Sequence, residues 1–147
     1  MGSEYRTINQ NYKFKSLKSK TMETTKKIET FKDLLVWQKA MNLTTKVYQI
    51  VKKLPKEERY SLSDQMRRAA VSIPSNIAEG YGRHTPKEYV RFLSIARGSA
   101  FELETQLLAC EQIHYLSASD IQPHLAIISE LTKMLSSLIH KILSINS

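Results

Sequence analysis

Residues 67–83 read RRAAVSIPSNIAEGYGR, a run with helical spacing and a proline near its centre. Met66, Ala70, Ile73, Ile77 and Tyr81 recur at steps of three and four, the mark of one helix face. Pro74 interrupts that face. A proline inside a helix removes a backbone donor and crowds the carbonyl four residues earlier, here that of Ala70, at a cost of about 3 kcal/mol unless neighbours compensate. Ser72, Ser75 and Asn76 flank the break and offer side-chain partners for freed carbonyls. Small residues on both sides (Ala69, Ala70, Ser72, Ser75, Ala78, Gly80) admit a close neighbour. The stretch predicts a buried helix kinked at Pro74.

Working outward, the helix should begin at a Ser61 or Ser63 cap and stop near Gly80 and Gly82, where glycine suits a left-handed end. Before it, a first helix is expected over residues 31–54. Thr30 caps it, Asp33 sits in its first turn, and Leu54-Pro55 ends it. Leu34, Trp37, Met41, Thr44, Tyr48 and Val51 make its heptad seam, with Ala40, Val47 and Leu54 widening it and Val36, Leu43 and Ile50 alongside. The apolar arc spans roughly 160°, wider than one neighbour needs, so contacts beyond one protomer are expected. Opposite that seam, Lys32, Lys39, Lys46 and Lys53 form a column at seven-residue spacing.

After the kinked helix, Thr85-Pro86-Lys87-Glu88 is a capping box with proline at the first helical position. It predicts a helix over residues 86–114 with Tyr89, Ala96, Leu103 and Cys110 on one column and Leu93, Ala100 and Leu107 on the next. Gly98 and Ser99 fall mid-helix, which a close helix crossing would explain. A Ser119 or Asp120 cap opens the fourth helix, residues 120–145, with Pro123 in its first turn and a seam of Ile121, Leu125, Ile128, Leu131, Leu135, Leu138 and Ile142. Short connections between four helices predict an all-α, up-down-up-down antiparallel four-helix bundle over residues 30–147. Residues 1–29, polar and lysine-rich, read as a disordered or extended basic segment. Met22 in that segment offers a second possible start beside Met1.

Composition narrows function. The chain of 147 residues carries a net charge of +8. Residues 1–62 hold 14 Lys and Arg against 6 Asp and Glu, whereas residues 63–147 hold 8 of each, so the excess lies in the first part. A polyanion or acidic surface is the partner such asymmetry suits; a merely solubilising lysine face is the plainer reading. The basic N-terminus lacks a signal-peptide core and no run approaches the roughly 18 apolar residues of a membrane span, so the cytoplasm is expected. Cys110 is the single cysteine, which leaves no intrachain disulfide or cysteine zinc site. Glu111 and His114 form one Glu-x-x-His pair, where a di-iron bundle needs two. No phosphate loop, zinc spacing or nucleophile–base pair occurs, so neither catalysis nor a metal or other cofactor is expected.

Arg67, Arg68, Asn76, Glu79 and Glu102 stand on segments expected to pack. Arg67 or Arg68 pairing with Glu102 between helices, with Asn76 and Glu79 joining, would make a structural network inside the bundle or at a subunit seam. The same arginines, with Lys32, Lys39, Lys46 and Lys53, are the candidate nucleic-acid contacts. No base-reading module or stacking platform is legible, so binding would be backbone-directed.

The motif at residues 65–80, QMRRAAVSIPSNIAEG, resembles the signature of small four-helix-bundle proteins encoded within intervening sequences of bacterial 23S ribosomal RNA genes. FKDLLVWQKA at 31–40, KEYVRFLSIARGSAFELETQL at 87–107 and the fourth-helix seam agree, so the likeness covers roughly residues 30–143. The resemblance implies an up-down bundle that assembles into a ring, most often a homopentamer. Relatives of that fold include the accessory protein of diversity-generating retroelements, a basic pentamer that binds nucleic acid and a reverse transcriptase. The family also carries an S23-type ribosomal protein label, in which the ribosomal role is implied by gene position. Two functional expectations follow: a non-catalytic oligomer that binds RNA, ribosomal or other, or DNA, and an adaptor whose ring binds another protein.

Overall fold

Leu34, not Thr30, sets the start of the first helix. The computed structural model of the chain describes Phe14, Lys15, Lys18 and residues 27–145. In it Thr30 and Asp33 form a capping box, but on a single 3-10 turn, Phe31–Asp33. The buried Leu34 then takes extended backbone (φ −72°, ψ 124°) and α1 runs Leu35–Ile50. A second 3-10 turn, Val51–Lys53, replaces the last turn expected of it. Three further α-helices follow among the described residues: α2 Leu62–Tyr81, α3 Pro86–Gln112 and α4 Ala118–Ile145. Together they make a four-helix bundle.

The core is centred differently on α1 than the heptad seam implies. Val36, Ala40, Leu43, Val47 and Ile50 are its buried residues. Met41 and Tyr48 remain 42% and 45% exposed. The column first read as secondary therefore faces the core, and the heptad seam lies on the flank towards α2. On α3 the columns fall as expected, with Tyr89, Leu93, Ala96, Ala100, Leu103, Leu107 and Cys110 buried. On α4, Ile121, Ile128, Leu131, Leu135 and Ile142 are buried, while Leu125 and Leu138 are only partly so.

Pro74 sits inside a continuous α2, buried. The carbonyl it deprives of a donor, that of Ala70, accepts instead from Thr44 Oγ1 on α1 at 3.1 Å. That hydroxyl lies also 2.9 Å from its own helix's Ala40 carbonyl, so one proton is shared between two helices. The residues expected to compensate do something else. Asn76 Nδ2 donates to the Ser72 carbonyl (2.8 Å) and hydroxyl (3.0 Å), and the Ser72 hydroxyl meets that of Ser99 on α3 at 2.8 Å. Thr44→Val should therefore orphan the Ala70 carbonyl and lower the unfolding free energy by about 1–3 kcal/mol in urea titrations, whereas Thr44→Ser should stay near wild type.

Helix ends show further departures. Ser61 caps α2 without a side-chain bond to its turn. Glu58 does that work, accepting from Ser61 Oγ (2.6 Å), Leu62 N–H (3.3 Å) and Tyr115 Oη (3.1 Å). Gly82 closes α2 at φ −75°, so no left-handed glycine is involved. The left-handed position belongs to His114, φ 64°, after α3. Tyr115 N–H then reaches the Cys110 carbonyl (2.9 Å) and His114 N–H that of Glu111 (3.1 Å), the two bonds of a Schellman motif. Thr85 caps α3 as expected, accepting from Glu88 N–H at 3.2 Å, but the box stays open, because the Glu88 carboxylate accepts from the Thr85 hydroxyl (3.3 Å) and not from its backbone. For α4 the cap is Ser117, paired reciprocally with Asp120, two residues before Ser119 and three before Asp120, the positions expected to cap it. Pro123 consequently lies beyond the first turn.

Gly80 marks the tight crossing of α2 and α3. A Cβ there would lie 2.8 Å from Phe92 Cβ and 3.1 Å from the Tyr89 ring. Gly98, where the crossing was expected, has nothing within 4 Å of that position. Beside Gly80, Phe14 is buried edge-on against Tyr89, with centroids 6.0 Å apart. Apart from Phe14, Lys15, Lys18 and residues 27–29, the segment 1–29 read as disordered or extended lies outside the described residues.

Candidate nucleic-acid interface

Where a lysine on α1 points is set by its angle from the core column. Recentring the core on Ala40, Leu43 and Val47 moves the lysine column from the far side of the helix to the seam with α4. Lys39 Nζ meets Glu130 on α4 at 2.7 Å. Lys53 Nζ meets Asp120 at 2.8 Å. The Asp120 carboxyl is drawn down to about 2 by that ammonium first, then by the Ser117 backbone N–H and hydroxyl. Between the two ion pairs, the Lys46 carbonyl lies 3.3 Å from Nε2 of the buried His124, whose Nδ1 has no partner. A carbonyl only accepts, so Nε2 is the donor of that contact. Two lysines of the column thus also tie α1 to α4.

Lys32 is exposed on the first 3-10 turn, and Lys46 is half-buried. Lys52 and Lys56 are exposed beyond the end of α1. None of these four has an ion-pair partner among the described residues. Lys32 precedes α1 whereas Lys46, Lys52 and Lys56 gather towards its other end, so the four form neither a line nor one cluster.

The arginines turn to a local carboxylate. Arg68 Nε lies 3.3 Å from Asp64, and Arg67 Nη2 4.0 Å from it. Arg67 also donates to the Arg59 carbonyl at 3.1 Å. Neither joins Glu102, which accepts from Gln106 Nε2 at 3.3 Å on its own helix. Glu79 pairs with Arg83 at 2.7 Å, and that guanidinium stands 4.7 Å from the Phe92 ring. Of the expected network, Asn76 alone reaches another helix's polar cluster, through Ser72 and Ser99. The separate parts exist; the Arg–Glu102 link within one chain does not.

One feature escaped the sequence reading. Two adjoining clefts of about 350 and 480 Å³ lie between α1 and α2 and share Tyr48 and Val71. Arg67, Arg68, Asp64 and Ser72 line the first, and Thr44, Thr45, Gln49 and Lys52 the second. Tyr48 and Val71 are 45% and 40% exposed. An apolar floor with cations at its rim is thus present. Its signal, Tyr48 four residues before Lys52, was absorbed into a presumed core seam.

A second cationic feature stands at the α2–α3 corner. Lys18 Nζ donates to the Arg83 carbonyl at 2.6 Å and lies 4.9–5.5 Å from the centroids of Phe14, Tyr81 and Tyr89. Burial lowers its ammonium from the ordinary lysine range and raises the Tyr89 hydroxyl well above the tyrosine range. Among the described residues no group of three His, Cys, Asp or Glu side chains could hold a metal ion. Nor is any helix there long and apolar enough to cross a membrane.

A family model described as 23S rRNA-intervening sequence protein matches residues 32–137. A crystal structure of a protein of unknown function from the S23 ribosomal protein family, from Bacteroides thetaiotaomicron VPI-5482, is similar with a TM-score of 0.67 and 24% identity. The match covers 71% of this chain and 98% of that one, and at such identity it bears on the fold alone. No curated protein matches the chain.

Proposed function

Because the chain belongs to the 23S rRNA-intervening sequence protein family, we propose that it is a non-catalytic cytoplasmic bundle of up-down antiparallel topology that assembles into a ring, in the family's manner a pentamer, and binds RNA or DNA through its backbone. The observation that carries the reading is the uncompensated charge of the first 62 residues, 14 basic against 6 acidic. Lys39 and Lys53 hold carboxylates of α4, so on α1 and the turns beside it the binding falls to Lys32, Lys46, Lys52 and Lys56. Arg67 and Arg68, sharing one Asp64, add a net positive rim. Point contacts of this kind grip phosphate without reading bases, which gives low sequence specificity.

Fluorescence anisotropy with structured ribosomal RNA fragments and matched duplex DNA, over a salt series, tests it. Affinity should fall about tenfold or more between 50 and 200 mM salt. The Lys32→Gln, Lys46→Gln, Lys52→Gln triple variant should reduce the log–log salt slope by about 2–3. Preference for RNA would favour a ribosomal context. An unchanged slope would overturn the assignment of these lysines. Absence of binding at low salt would overturn the nucleic-acid reading and favour the adaptor, for which the exposed Met41, Tyr48 and Val71 provide an apolar surface.

A further inference from the structure

Gly98 relieves no close contact among the described residues. It lies in mid-α3, exposed, with nothing within 4 Å of where a Cβ would stand. A glycine there weakens the helix and exposes its backbone with no described neighbour to make room for. What it permits is close approach from outside. On the same outward column stand Ile95, 41% exposed, and Glu102, an exposed carboxylate with no cationic partner among the described residues. Gln106, one turn further on, is 8% exposed and its Oε1 has no hydrogen-bond partner among the described residues.

The cleft between α1 and α2 has the opposite character. Tyr48 and Val71 supply an apolar floor, and at its rim the Arg68 side chain is 80% exposed. Arg67 and Arg68 outnumber the one carboxylate beside them, Asp64. One face therefore offers small and apolar groups with a surplus anion, the other an apolar cleft with a surplus cation.

We propose that the α3 column of one copy seats in the α1–α2 cleft of the next, with Glu102 paired to Arg68 across the contact and Gly98 allowing the helices to close. The occupant of the cleft is thus a second copy of this chain. Such a head-to-tail contact uses two different patches and closes a ring when its rotation permits. The inference rests on the ring reading above and names the groups that make it.

Light scattering over a concentration series tests it with three samples: Arg68→Glu, Glu102→Arg, and an equimolar mixture of the two. Each variant alone sets like charges face to face and should need about tenfold or more protein to reach the wild-type mass. In the mixture, opposite charges meet again at every contact of an even ring and at all but one of an odd ring, so the assembled mass should return. A pair closed within one chain cannot be rescued by mixing. Gly98→Leu should also block assembly while helix content by circular dichroism stays at wild type.

Variants that assemble like wild type would overturn the proposal, and so would single variants that the mixture fails to restore. Variants that assemble normally but lose RNA binding would make the cleft a nucleic-acid surface instead. In those cases the ring reading stands. A wild-type chain that stays monomeric throughout would overturn both.

Discussion

Tyr89→Ala should lower the unfolding free energy by about 3–5 kcal/mol, measured by urea denaturation followed by circular dichroism. Tyr89 is 1% exposed at the α2–α3 corner, between the edges of Phe14 and Tyr81. Removing its ring opens a cavity that rigid neighbours cannot fill, because the backbone of Gly80 stands directly behind it. Tyr89→Phe keeps the ring and should lose far less. Tyr60→Ala, at a side chain 87% exposed, should stay within about 0.5 kcal/mol of wild type. A Tyr89→Ala loss below that of Tyr60→Ala would mean that this corner does not hold the bundle.

The two helical glycines should respond in opposite directions. Gly80→Val places a side chain where even a Cβ meets Phe92 Cβ at 2.8 Å. That atom is fixed to the α3 backbone, so the helices must part, and the expected loss is about 1–3 kcal/mol or more. Gly98→Ala meets nothing and gains helix propensity, so the isolated protomer should become about 1 kcal/mol more stable. Dilute samples keep subunit contacts out of the measurement. Equal destabilisation by both changes would show that the α2–α3 crossing is not located at Gly80.

Helices α2 to α4 were legible because their signals are local. A Thr85 cap, apolar columns at seven-residue spacing and a long α4 seam each lie within a turn or two of what they specify. The core side of α1 was not, because an apolar arc of roughly 160° has no unique centre. Choosing Trp37, Met41 and Tyr48 as its middle placed the lysines opposite the core. The packing chose Ala40, Leu43 and Val47, and brought Lys39 and Lys53 to α4. The partner of the Ala70 carbonyl was hidden for another reason: Thr44 lies 26 residues away on a different helix. The arginines were over-read in the opposite sense. Asp64, one turn back on the same helix, reaches them before any carboxylate on α3 can. His114 carried no glycine or asparagine to announce a left-handed stop.

The lysine and aromatic rings at the α2–α3 corner also bear on the order in which the molecule comes apart. Lys18 and Arg83 stand 65 residues apart in sequence. Joining them forfeits chain entropy that a contact between successive helices hardly incurs; among the described residues, the buried Phe14 ring and the Lys18 ammonium offset it. The carbonyl that accepts from Lys18 belongs to the connection after α2, and the ring that Phe14 meets belongs to the first turn of α3. The turn between those two helices is therefore held from outside the four-helix set, by a part of the chain that precedes α1.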